Sequence, residues 1–174
     1  DDYYNYDYIG APSHCGRVGD QFLLGFGWYE HDERTVVQNG GFSLRSKRFL
    51  QAPNNFGIVH KQANDIHNWN EDAQLTAIFR KDLEFCGMKY APEEVAKEFS
   101  IEYVGPGFHD GFDFNRLVGH HAQSRRLIGD MYVRVTKPHG EIKDFYGEEQ
   151  FIKFLWEIGY TIEYVEQSPN QKAA

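Results

Sequence analysis

Asn70-Glu71-Asp72-Ala73-Gln74-Leu75-Thr76-Ala77-Ile78-Phe79-Arg80-Lys81-Asp82-Leu83-Glu84-Phe85-Cys86 carries the clearest helical periodicity in the chain. Leu75, Ile78, Phe79, Leu83 and Cys86 recur at three- and four-residue steps, the spacing that gathers side chains on one face of an α-helix. Asn70 suits the N-cap, and Glu71 and Asp72 fill the first turn, where carboxylates offset the helix dipole. The pattern predicts an amphipathic helix over residues 70–86.

Segments with strand character flank it. Tyr6-Asp7-Tyr8-Ile9-Gly10-Ala11-Pro12 predicts a short strand closed by a Gly/Pro turn. Residues 13–34, with Gly16, Gly19, Gly25 and Gly27, predict a long loop of the kind that often carries function. In Gln38-Asn39-Gly40-Gly41-Phe42-Ser43-Leu44-Arg45-Ser46 the two glycines open backbone conformations closed to other residues. Phe42 and Leu44 then alternate with Ser43 and Arg45 as in a short strand, and residues 47–52 predict one or two helical turns.

Downstream, Pro92 starts a short helix through Phe99. Ser100 to Val104 predicts a strand ending in Gly105-Pro106-Gly107-Phe108-His109. Met131 to Thr136 alternates like a strand, and Pro138-His139-Gly140 turns the chain. Glu148 to Ile158 predicts a helix with Phe151, Phe154, Leu155 and Ile158 on one face, followed by a strand over Thr161 to Val165. Short strands mixed with helices predict one α/β domain over residues 1–167, with 168–174 as a frayed tail.

The chain's 174 residues suffice for one domain with a real core, and its 41% apolar and 16% aromatic content is not that of a disordered chain. A formal charge of −8 argues against a broad surface for nucleic-acid phosphates, while leaving room for a local basic groove. Cys15 and Cys86 have no zinc or redox spacing and read as reduced thiols of a cytoplasmic protein. No apolar run approaches the 18 or so residues of a membrane span, and no secretory leader pattern is present. The phosphate-binding glycine loop with lysine and the Gly-x-Ser-x-Gly elbow are both missing. The chain opens at Asp1 without a methionine, as a fragment, a processed product or part of something longer would.

Three segments could carry chemistry together. Glu71 and Asp72 either serve the helix dipole or place a carboxylate as general base on a hydroxyl. His109, after a glycine turn, is either a solvated loop side chain or a ligand for a divalent metal or a phosphate, with Asp110 and Asp113 nearby. Gly40-Gly41 is either a turn or backbone lying close against substrate. Arg45 could contact phosphate or carboxylate, or make a surface salt bridge. His120-His121 with Arg116, Arg125 and Arg126 reads as a solvated helix face or an anion-facing patch.

Tyr6 to Pro12, then Asn39 to Ser46, then Asn70-Glu71-Asp72, Val95 to Glu102 and Gly107-Phe108-His109 resemble, in this order, the DUF5672 group of bacterial and phage glycosyltransferase-like proteins. The resemblance covers residues 5–112 as the catalytic portion and leaves 113–167 as a C-terminal extension. The same order is similar to GT-A-type enzymes of the fringe-like kind. It implies a GT-A-like mixed sheet flanked by helices, of which this chain is the C-terminal (acceptor and catalytic) portion. It further implies Asp72 as base with Glu71 beside it, and His109 as a ligand of Mn2+ or Mg2+. Asn39, Gly40, Gly41, Phe42, Arg45 and Trp69 would line the substrate pocket.

The implied reaction is metal-assisted transfer of a sugar from a nucleotide-sugar donor to a hydroxyl acceptor, a glycan or, against the charge balance, a nucleic-acid base. Such enzymes carry a nucleotide-binding half with an Asp-x-Asp-like motif before the Asp-Tyr-Ile-Gly-Ala-Pro segment. Here only six residues precede Asp7, so that half would lie upstream or in a partner chain, and Ser13 stands where a tryptophan is common. The alternative is a non-catalytic glycan-binding or structural and assembly module that reuses the fold.

Overall fold

The computed structural model describes residues 2–18, 22–23, 34–60, 70–102, 109–121, 125–137 and 148–166. They fall into two compact units, Asp1–Glu102 with Asp110–His121, and Tyr103–His109 with Ala122–Ala174.

In the first unit the strand expected at residues 6–12 runs on as β1 (Tyr8–Val18). It is flanked by antiparallel β2 (Phe22–Leu23) and β3 (Arg34–Arg45) in the order β2-β1-β3. The long loop expected at 13–34 is therefore corrected at residues 13–18, 22–23 and 34, and the rest of that span lies outside the described residues. The reason is burial on both faces. Tyr8 through Cys15 are all buried, including Ser13 and His14, so the polar–apolar alternation that marks a half-exposed strand is absent. His14 is satisfied there by Glu93, with Nε2 2.6 Å from Oε1.

Helix α1 (Lys47–Asn55) follows, its N-cap Ser46 accepting from the Phe49 N–H at 3.0 Å. The predicted helix 70–86 is present in three pieces: α2 (Glu71–Ala73), a π-helical turn (Gln74–Ile78) and α3 (Arg80–Phe85). The wide turn closes where the Phe79 N–H reaches the Gln74 carbonyl at 2.8 Å. Thr76 sits inside it, donating to the Asp72 carbonyl at 2.7 Å and accepting from the Gln38 N–H of β3 at 2.9 Å. A hydroxyl shared between helix and strand is a physical reason for the distortion, because it competes with the regular backbone ladder. Helix α4 (Glu93–Phe99) starts after Pro92 as expected, and runs into β4 (Ser100–Ile101), which pairs in parallel with β5 (Gly119–His120).

Successive residues of β1 serve different packing clusters. Tyr8 joins Phe49, Ile78, Phe79, Leu83, Met88 and Tyr90, whereas Ile9 joins Ala91, Ala96 and Phe99. Cys15 and Val37 meet Ala73 and Ala77 on the helical segment.

The second unit has strands β6 (Arg125–Gly129) and β7 (Tyr132–Lys137), helix α5 (Glu148–Glu157) and strand β8 (Thr161–Glu166). β6 and β7 are antiparallel, and β8 joins β7 in parallel after α5. Met131 belongs to the hairpin turn, with φ of 58°, rather than to the strand expected from it. On α5, Phe151, Ile152 and Leu155 are buried and Phe154 is half-buried, while Ile158 lies past the helix end and is exposed. Residues 138–140 and 168–174 lie outside the described part. The architecture is mixed α/β, and among the described residues no helix is long and apolar enough to cross a membrane.

Asp7 ties three segments of the first unit together. Its carboxylate accepts from Ser46 Oγ at 2.6 Å, from the Lys89 N–H at 2.9 Å and from the Arg48 guanidinium. Burial pushes its pKa up, but the bonds from Arg48, Ser46 and Lys89 outweigh that and bring it to about 2. A carboxyl with a depressed folded-state pKa stabilises the fold fully above its ordinary value of about 3.9, and that contribution is lost as the pH falls towards 2. Asp7→Asn is expected to cost about 1–2 kcal/mol at neutral pH, allowing for screening at the half-exposed Arg48. Urea melts over the acid range should show the wild-type advantage shrinking in step with protonation of Asp7.

Candidate functional site

The ladder between β1 and β3 breaks at one place. Gly10 faces Ser43 and Pro12 faces Gln38, so Ala11 alone stands opposite Asn39, Gly40, Gly41 and Phe42. Several residues opposite one make an enlarged bulge that lifts the backbone out of regular pairing. Gln38 secures its base. The side chain accepts from the Gly10 N–H at 3.3 Å and donates to the Ala91 carbonyl at 2.6 Å, and its own carbonyl accepts from the Tyr8 hydroxyl at 3.0 Å. Gly10 lies so close under the Asn39 carbonyl that a Cβ would collide with it.

The first turn of α2 sits beside this bulge. Asp72 Oδ2 accepts from the Gly40 N–H at 3.0 Å and lies 3.5 Å from Asn39 Nδ2, while Oδ1 accepts from the Ala73 N–H at 2.7 Å. Asn70 holds the N-cap position as expected, but its side chain makes no capping bond, and the Asp72 carboxylate satisfies a first-turn donor instead. Burial pushes the Asp72 pKa up. The N–H groups of Gly40 and Ala73 pull it down, the charges of Glu71 and Glu102 push it up again, and the net shift is upward. A half-buried carboxylate of this kind takes up a proton more readily than a free aspartate.

Arg45 braces the outer side of the bulge. Its Nη2 lies 2.6 Å from Glu71 Oε1 and donates to the Gly40 carbonyl at 3.2 Å, and its Nε donates to Ser43 Oγ at 3.1 Å. Its guanidinium also stands over the Tyr8 ring, 5.2 Å from the centroid. A carboxylate contact of the kind expected for Arg45 is thus found within the chain, on Glu71. Phe42 is 36% exposed and leans on Phe99 with ring centroids 5.4 Å apart.

The first unit therefore brings Asn39, Gly40, Gly41, Phe42, Arg45, Glu71 and Asp72 into one neighbourhood. Trp69 lies outside the described residues. His109 is buried and belongs to the second unit. Asp113 caps a short 3-10 turn, accepting from the Asn115 N–H at 3.0 Å. Among the described residues no group of three or more His, Cys, Asp or Glu is disposed to hold a metal ion.

Sequence reasoning gave Gln38 and Glu102 no role and placed His121 only in a basic stretch. His120-His121 is not a helix face: His120 ends β5, and the His121 N–H continues the pairing by donating to the Ile101 carbonyl at 2.9 Å. A two-residue strand has too few positions to show a period. The buried Glu102 follows β4 directly and faces His121, with Oε1 3.5 Å from Nδ1. The one available signal was an acidic residue closing an apolar strand.

A family model described as "Protein of unknown function (DUF5672)" matches residues 1–115. No curated protein and no solved structure matches the chain.

The glycines of the bulge predict graded costs. A Cβ on Gly10 meets fixed backbone, whereas one on Gly40 meets the mobile ends of Glu71 and Arg45, with Asp72 Cβ at 3.3 Å. Gly10→Ala should cost about 2–3 kcal/mol and Gly40→Ala about 1 kcal/mol, the range for overpacking with and without room to yield. Paired urea melts check the order.

Proposed function

The chain belongs to the DUF5672 family, and from that footing we propose that it is the catalytic portion of a glycosyltransferase with a GT-A-like sheet. In this reading it moves a sugar from a nucleotide-sugar donor to a hydroxyl acceptor such as a glycan. The observation that carries the proposal is the Asp72 carboxylate, fixed by the Gly40 N–H at 3.0 Å and raised in proton affinity by burial. A hydroxyl is a poor nucleophile until its proton is removed, and a positioned carboxylate supplies that step.

As the acceptor oxygen bonds to the anomeric carbon of the donor, Asp72 takes the hydroxyl proton and the bond to the departing nucleotide diphosphate breaks. Backbone N–H groups on both carboxylate oxygens hold its plane, so little reorganisation is needed when the proton arrives. Glu71 keeps Arg45 in place against the bulge. Asn39, Gly40, Gly41 and Phe42 form the wall nearest the base, with Phe42 offering a half-exposed ring to a sugar face.

A divalent Mn2+ or Mg2+, with His109 as a ligand, belongs to the same reading, and such an ion would stabilise the leaving diphosphate as a Lewis acid. The described residues do not assemble a donor set for it, and the proton transfer to Asp72 stands without one. Cys15 and Cys86, far apart in sequence and without zinc or redox spacing, fit a reducing, cytoplasmic setting.

Asp72→Asn keeps the shape and removes the base. Turnover should fall by about 100-fold or more, with donor affinity nearly unchanged, in steady-state transfer assays alongside donor titrations. Unchanged turnover would remove Asp72 from the role of base, whereas glycan binding with no transfer by the wild type would favour the non-catalytic, glycan-holding alternative.

A further inference from the structure

The segment Gly119–His121 lies beyond the stretch matched by the family model, yet it interlocks with the bulge at two points. A Cβ on Gly41 would collide with the His121 imidazole, and a Cβ on Gly119 would collide with the Phe42 ring. Each strand thus lacks a side chain where the other inserts one. Glu102 is buried directly behind His121, in the adjacent strand position, with the 3.5 Å contact to Nδ1.

We propose that His121 and Glu102 are a positioning pair of the Asp72 site, His121 pressing on the Gly41 backbone that leads to the Gly40 N–H and Glu102 setting the charge behind it. The functional meaning rests on Asp72 being the base; the geometry and its test do not. Two effects follow from the placement. The imidazole, seated where Gly41 has no side chain, keeps the bulge pressed towards α2. The Glu102 carboxylate adds negative charge near Asp72 and favours its protonated form, and a positive charge on the imidazole beside Glu102 would offset that.

Among the described residues, charged and titratable groups face Asp72 from several neighbouring elements. They are Glu71 on its own helix, Tyr8 of β1, Arg45 of β3 through Glu71, Glu102 after β4, and His121 after β5 through Glu102. Only the last two belong to the proposed pair, so they can be varied while the Arg45–Glu71 brace is left intact.

The experiment is an NMR titration of the Asp72 carboxyl carbon in the full chain, comparing wild type, Glu102→Gln and His121→Phe. Glu102→Gln should lower the Asp72 midpoint, and His121→Phe, which keeps a flat ring but removes any imidazole charge, should raise it. A purely structural role would lower the melting temperature without moving the midpoint in these opposite directions. Should Glu102→Gln fail to fold, the sign of the His121→Phe shift decides. Midpoints unchanged in the folded variants overturn the proposal, whatever the transfer assay of Asp72→Asn shows.

Discussion

One mismatch in strand pairing organises the first unit: a single residue of β1, Ala11, stands opposite the four residues Asn39 to Phe42 of β3. The excess chain cannot stay in the sheet plane, and the backbone N–H of Gly40 that it turns outward needs an acceptor. Asp72 supplies it from the first turn of α2. The π-helical turn, the shared hydroxyl of Thr76 and the stitched amide of Gln38 all lie within the same junction between β3 and the helix. The helix and the bulge are therefore best understood as a single construction.

That construction accounts for the electrostatics of the site. A carboxylate bound by two N–H groups would ordinarily be a stronger acid than free aspartate. At Asp72 burial and the nearby carboxylates win, so the group is oriented by its hydrogen bonds and yet more basic than usual. Asp7, just before β1, shows the opposite balance. It too is buried, but it faces the Arg48 guanidinium and is driven down to about 2. The two aspartates diverge because Asp7 has a cation against it, whereas at Asp72 burial dominates and the nearby carboxylates add to it. Asp7 holds the fold, and Asp72 has a raised proton affinity.

Much of this was legible in the sequence, for identifiable reasons. The helix from Asn70 announced itself because Leu75, Ile78, Phe79 and Leu83 keep a helical step on a face that packs. Pro92 marked the start of α4. The proximity of Gly40 to Glu71 and Asp72 was suggested only by the order of motifs, never by spacing. Strand β1 was read short because both its faces are covered, and β5 was invisible because two residues carry no period. The π turn depends on a tertiary hydrogen bond from Gln38 to Thr76, which no local pattern encodes. The placement of His121 on Gly41 is likewise a long-range contact, found only once the strands are paired.

The central claim is that the Gly40 N–H is held by a carboxylate of raised proton affinity. It is tested most directly by following the amide proton shifts of Gly40 and Ala73 against pH in the wild-type chain. The account predicts that both amides titrate together, with one midpoint above the ordinary aspartate value of about 3.9. Amide shifts that ignore pH, or that move with a midpoint at or below that value, would contradict it.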